Sequence, residues 1–349
     1  MNNLKIIFLL LLTLCFFPLS AQENKDENLD DRVTTVEKTV AKLPKIVGDI
    51  NLRHRYDDVA DLNSFDVRRV RLDFRGNLAP AWSYRLHFDF ASTPSAAPKI
   101  LDVFVNWKIN DFVSFQAGQY KIPFSLENPY NPNNLEMADN SLVISNLVNY
   151  GGVLSSNGRD IGLSFMGGFV KKDGFNLLNY NVGFFNGSGI NRVDDNKAKD
   201  FSGIFTVKPI KNLDLAVSYY NGGRIGEQDS ILKRDRTGFG AKYDDGKLLV
   251  RSEYILGNNE RVNNSVLENF KSDGAYAVVG YYVIPKVQLL AKYDYLKPNS
   301  DSDKGQNFYT AGFNFLPANN VRVQFNYTYR TEPGRDDSSY FITQLWVKF

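Results

Sequence analysis

The chain has 349 residues, 43% hydrophobic and 23% charged, with a formal net charge of +2, a balance that excludes intrinsic disorder and a strongly basic nucleic-acid binder. Aromatic residues are abundant (26 Phe, 19 Tyr, 3 Trp), against 3 Met, 1 Cys and 2 His. One cysteine excludes a disulfide framework and a cysteine-based zinc site, and two histidines leave little for histidine catalysis. The length suits two soluble domains or one large all-β unit.

Residues 1–21 read as a signal peptide. Lys5 precedes an apolar run from Ile6 to Phe17, followed by Pro18 and the small residues Ser20 and Ala21; the run is shorter than the roughly 20 residues of a membrane-crossing helix. Cleavage near Ala21 removes Cys15. A lipoprotein site at Cys15 is disfavoured because Thr13 and Leu14 precede it and it lies within the apolar run. Residues 22–45 form a charged segment in which Leu29, Val33, Val36, Val40 and Leu43 mark a heptad seam. About two heptads are marginal alone, so the segment is either a helical, coiled-coil piece held together by another contact or a frayed periplasmic linker. Pro44 ends it.

From residue 46 to 349 the period changes to two. Val321, Val323, Phe325, Tyr327 and Tyr329 fall on one face of a strand, and Arg322, Gln324, Asn326, Thr328 and Arg330 on the other. Sixteen such segments follow one another, near 47, 65, 81, 99, 112, 158, 175, 199, 212, 235, 247, 273, 286, 306, 320 and 339, each about ten residues, the length of a tilted membrane-spanning strand. Short turns, such as Asn110-Asp111 and Ile284-Pro285, alternate with long polar loops at 57–64, 122–157, 187–199, 222–234, 257–272, 297–305 and 331–338. The predicted fold is therefore all-β: a sixteen-stranded antiparallel transmembrane β-barrel in the outer membrane, with both termini periplasmic. The last strand alternates Phe341, Thr343, Leu345, Val347 to the terminal Phe349, an apolar edge that a soluble sandwich has no use for. Trp346 falls on the lumen side without an evident reason.

Sixteen strands leave an aqueous lumen, so the inward residues carry the chemistry. By parity the first three strands turn Asp49, Asn51, Arg53, Arg55, then Arg69, Arg71, Asp73, Arg75, then Ser83, Arg85, His87 and Asp89 inward. Two readings of these six arginines stand equal: an anion-attracting wall, or guanidinium groups paired with Asp73, Asp89 and loop carboxylates that keep the lumen wet. The longest connection, 122–157, carries prolines and an apolar set (Leu135, Met137, Leu142, Val143, Ile144, Leu147) and is expected to fold into the barrel as a constriction. Its Glu127, Glu136 and Asp139 would oppose the arginine wall, and Lys121 and Arg159 stand at its two mouths.

The segments Phe65-Asp-Val-Arg-Arg-Val-Arg-Leu-Asp-Phe-Arg-Gly76, Trp82-Ser-Tyr-Arg-Leu86, Ala117-Gly-Gln-Tyr-Lys-Ile-Pro-Phe-Ser-Leu-Glu127 and Gly158-Arg-Asp-Ile-Gly162, in this order and spacing, resemble the phosphate-selective porin O and P family. Asn186-Gly-Ser-Gly-Ile-Asn191 continues the likeness. The resemblance implies a trimeric sixteen-stranded channel that passes phosphate or polyphosphate through an arginine and lysine lining and an inward third loop. Selective members carry cations on that loop, whereas here only Lys121 stands at its entrance and the rest is acidic or neutral.

Other signals are weak. Asp301, Asp303 and Gly305 start like a calcium loop, but position twelve is Gly312, which rejects an EF-hand. His54 and His87 lie on opposite strand faces and make no metal pair, and no triad for a barrel enzyme is present. The expected protein is a non-enzymatic porin for small hydrophilic solutes, anion-preferring, without a cofactor or nucleic-acid partner. Its partners are outer-membrane lipid, small anions such as phosphate, and two further copies of itself. The alternative is a plugged barrel acting as an adhesin or structural outer-membrane protein.

Overall fold

Strict alternation of polar and apolar residues makes a strand with two incompatible faces, and closing a sheet is the one arrangement that gives each face its own solvent. The computed structural model describes residues 43–91, 98–149, 158–225, 231–263, 266–300 and 305–349, with Thr34 before them. The predicted signal peptide, nearly all of the heptad segment and the Asp301–Asp303 motif lie outside the described residues. Sixteen strands follow in chain order: β1 Lys45–Asp57, β2 Leu62–Ala79, β3 Trp82–Asp89, β4 Lys99–Lys108, β5 Ser114–Lys121, β6 Arg159–Lys172, β7 Phe175–Phe185, β8 Asp200–Ile210, β9 Leu213–Ile225, β10 Ile231–Asp244, β11 Leu248–Asn263, β12 Val266–Ile284, β13 Val287–Lys297, β14 Gln306–Ala318, β15 Val321–Thr331 and β16 Ser338–Lys348. Each pairs antiparallel with its sequence neighbours, and β1 pairs with β16 to close the barrel.

The burial is inside out. On β15 the polar Gln324, Asn326 and Thr328 are 1 to 3% exposed, whereas Tyr327 and Tyr329 on the other face are 50% and 38% exposed. Phe239, Leu256, Leu289 and Phe313 also point outward. An apolar skin around the whole barrel requires hydrocarbon outside it. The buried amides satisfy one another: Gln344 Nε2 and Trp346 Nε1 both donate to Gln324 Oε1, at 3.2 and 3.1 Å. That bond accounts for Trp346 on the lumen side.

Connections at one end are short (80–81, 109–113, 173–174, 211–212, 245–247, 285–286 and 319–320). At the other end three of the predicted long loops are partly strand. The 57–64 connection shrinks to 58–61, and β9–β10 and β11–β12 run outward as hairpins through most of 222–234 and 257–272. These extensions mix polar and apolar residues without steady alternation, so hydropathy is silent about them, while cross-strand pairs such as Arg261 and Glu268 (2.8 Å) support the pairing.

Candidate functional site: a cationic cavity beside an inward loop

Residues 122–149 run inside the barrel. Ile122, Phe124, Met137, Val143, Ile144, Leu147 and Val148 are buried against inward side chains of β9 to β13: Tyr220, Ile255, Tyr276, Val278, Leu290 and Leu296. This part of the inner wall is apolar, and the loop lies against it. Polar clamps fix the loop along its length. Glu253 accepts from Ser125 Oγ (2.9 Å), Leu126 N (2.7 Å) and Glu127 N (2.9 Å), Asp294 from Leu142 N (2.8 Å), and Asn326 from Ala138 N (2.8 Å).

The side of the lumen left open is the arginine side. A cavity of about 370 Å³ is lined by Arg53, Arg55, Arg68, Arg69, Arg71, Lys121, Arg159 and Lys292, with Asp139 and Asp294 the two carboxylates in its lining. Parity placed Arg53, Arg55, Arg69 and Arg71 on this wall. Arg75 and Arg85 do not line the cavity. Both bind Asp73, at 2.6 and 2.7 Å, further toward the short-turn end, and Arg85 also reaches Asp102 at 3.0 Å.

Arg68 was missed because plain alternation turns it outward. A bulge between Asn51 and Leu52 of β1 and Val67 and Arg69 of β2 resets the register, so Ser64, Asp66 and Arg68 face the lumen before it and Arg69, Arg71 and Asp73 after it. Arg68 then donates to Ala138 O (2.9 Å), Gln344 Oε1 (2.8 Å) and Asp139 Oδ1 (2.7 Å), joining the loop to the wall. The run Val67-Arg-Arg-Val70, two adjacent arginines between two outward valines, is the signal that betrays it.

Of the three loop acids, one faces the cavity. Asp139 is half-buried; burial opposes its charge, and Arg68, Arg53 and Arg55 outweigh that cost and hold its pKa below the ordinary Asp value of 3.8. Glu127 and Glu136 turn toward β11 instead and meet the buried Arg251 at 3.4 and 3.0 Å, while Glu127 also accepts from Ser141 N and Oγ, both at 2.7 Å. The expected acid-against-arginine arrangement across the opening thus reduces to Asp139. Desolvation explains the change, since a buried guanidinium on β11 demands partners.

Pairing within the cavity is uneven. Arg53 bonds Asp66 (2.5 Å), Arg55 bonds Asp57 (2.7 Å), Arg68 bonds Asp139 (2.7 Å), Arg71 bonds Asp89 (2.8 Å), Arg159 bonds Asp102 (2.7 Å) and Lys292 bonds Asp294 (3.0 Å). Arg69 and Lys121 meet no carboxylate among the described residues. Arg69 stacks over the Trp346 ring at 5.6 Å with its buried Nη1 unbonded. Lys121 Nζ donates to two carbonyls, Asn128 O (2.5 Å) and Tyr130 O (2.7 Å). His87 lies in the lumen against Asp102 (2.9 Å) and His54 beside Phe65 with ring centroids 4.6 Å apart, on opposite faces as parity requires.

A closed barrel with an apolar exterior, a polar interior and a loop folded along one inner wall defines an outer-membrane porin. The chain belongs to the phosphate-selective porin O and P family, whose profile matches residues 45–165 and 169–340. No match is found among curated proteins. Similar solved structures include an anion-selective porin from Comamonas acidovorans (13% identity, TM-score 0.69, covering 88% of this chain and 99% of that one). The outer membrane channel DcaP of Acinetobacter baumannii (12%, 0.65, 88% and 97%) and OmpT of Vibrio cholerae in its trimer form (13%, 0.62, 88% and 99%) are also similar. At such identities the likeness carries the fold.

Proposed function

We propose that the barrel is a passive channel for small anions in which the cavity at the inward loop sets the preference, with phosphate as the favoured solute. The observation that carries this reading is the charge ledger. Six of eight lining cations are matched by carboxylates and serve as scaffold, and Arg69 and Lys121 are left as two positive charges lining one cavity. Two unmatched cations complement a dianion such as hydrogenphosphate. Lys121 holds the loop side through its carbonyl contacts, Arg69 the wall side; Arg53, Arg55, Arg71 and Arg159 with their carboxylates form the polar wall around them. The loop 122–157 acts as the constriction, the signal peptide is cleaved near Ala21, the segment 22–45 lies in the periplasm and the barrels assemble as a homotrimer, in keeping with the trimeric OmpT form.

The test is the reversal potential of purified protein in a planar bilayer under a KCl gradient, then with phosphate, sulfate or nitrate added. Anion selectivity with block by phosphate and sulfate, and none by nitrate, supports the reading. Selectivity without block by the dianions reduces it to a general anion-preferring porin. A silent bilayer with correctly folded protein would replace it with the adhesin or anchor.

A further inference from the structure

Exposed lysines recur on the rim at the short-turn end. Along the arc from β6 to β13 each successive short connection presents an exposed lysine: Lys172, Lys211, Lys247 and Lys286. None of the four makes an ion pair among the described residues. Most acids near this rim are engaged, Asp173 beside Lys172 excepted. Asp111 is shared by Lys108 and Lys171 (3.0 Å each), Asp214 is held by Lys208 (3.0 Å), and Asp245 accepts the backbone N–H groups of Lys247 and Leu248 at 2.8 and 2.7 Å.

Outward-facing aromatics mark the same level. Phe112, Phe169 and Tyr180 stack in series with centroids 5.9 and 5.4 Å apart, and the Lys247 ammonium sits 5.2 Å from the centre of the outward Tyr281 ring. Aromatic rings of this kind lie at the boundary between hydrocarbon and headgroups, and lysines just beyond them reach the phosphodiester plane while their stems stay on apolar surface.

We infer that this rim is a binding surface for anionic phospholipid headgroups. The ligand chemistry follows from ammonium groups that form no salt bridge with a carboxylate. A phosphodiester without an amine of its own, as in phosphatidylglycerol, gains full pairing there, whereas a zwitterionic headgroup brings its own cation and gains little. Spacing along successive turns makes this a rim for several lipids rather than a pocket for one, and it stands apart from the lumen cavity, whose arginines are mostly neutralised from within.

Native mass spectrometry of the folded barrel tests this, titrated with phosphatidylglycerol against phosphatidylcholine of identical chains. The wild type is expected to retain phosphatidylglycerol preferentially. Each lysine replaced should lower that retention by about fivefold, the factor matching about 1 kcal/mol per surface lysine, so K172Q/K211Q/K247Q/K286Q should lose the preference while its reversal potential in KCl stays that of the wild type. Equal retention of both lipids by the wild type, or an unchanged preference in the fourfold variant, would overturn the inference. Loss of the preference in R69Q, whose change is confined to the lumen, would also overturn it, by placing the lipid there. K247Q and K286Q singly give a graded readout should the fourfold variant not fold.

Discussion

Replacing Arg69 by glutamine separates an unmatched charge from the matched charges around it. A guanidinium about 4 Å from a dianion contributes about 2 kcal/mol at the dielectric of water and about 8 kcal/mol at an effective constant near 20. The cavity is open to water, so the lower figure applies, and R69Q should raise the half-blocking concentration of phosphate by about 30-fold. The control is R71Q/D89N, which deletes a pair joined at 2.8 Å and leaves the net charge unchanged. Exchanging a buried ion pair for neutral polar groups is close to neutral for stability, and block should stay within about twofold of wild type. The assay is phosphate titration of single-channel current at fixed KCl, with folding of each variant checked by its heat-resistant mobility on a gel. If R69Q blocks like the wild type, or if the charge-neutral pair deletion weakens block as much as R69Q, the distinction between matched and unmatched cations fails.

Three further outcomes follow from the loop. D139N removes the partner of Arg68 and exposes that charge to the cavity, so at neutral pH the variant should be more anion-selective than wild type in reversal-potential measurements. Because the folded-state pKa of Asp139 lies below its ordinary 3.8, the contribution of the pair is present above that value and lost only as pH falls through the lower folded value. Wild-type selectivity should therefore stay flat from about pH 7 to about pH 4, then approach that of D139N; a shift centred on neutral pH would refute the assignment. Glu253 receives four donors, Ser125 Oγ, Leu126 N, Glu127 N and Tyr276 Oη. E253Q offers one acceptor oxygen in place of two, at about 1 to 3 kcal/mol for each donor orphaned. The loop base should loosen, giving higher single-channel conductance and noisier open states; an unchanged current trace would show that the apolar packing alone holds the loop.

The barrel was legible because alternation is a local property of the chain and a bilayer demands it of every strand it touches. Alternation is silent where the bilayer stops, which is why β12 begins at Val266 rather than near 273 and why its pairing with β11, Val262 opposite Leu267, was lost to a loop. It is also silent at a bulge. One extra residue in β2 hid Arg68, although Asp66 and Arg68 on one side of the break and Arg69 and Arg71 on the other keep the lumen face continuous. That the loop folds inward was read from the sequence; the wall it packs against was also available there. Inward positions of β11 to β13 include Ile255, Tyr276, Val278, Leu290 and Leu296, apolar where a water-filled lumen calls for polar side chains. Such an arc needs a cover, and the apolar residues of 122–149 are the cover within the barrel. The same reasoning assigns the opening to the arginine wall, because a loop whose apolar side packs on β9–β13 turns only polar contacts, such as Asp139 to Arg68, toward β2. Charge pairing is the part that alternation cannot supply: it fixes which face an arginine takes but not whether an aspartate waits there. Glu127 and Glu136 illustrate the difference, since the buried Arg251 on a distant strand draws both away from the cavity. On the proposed function, selectivity rests on the residual charges, Arg69 and Lys121, that the three-dimensional pairing leaves over.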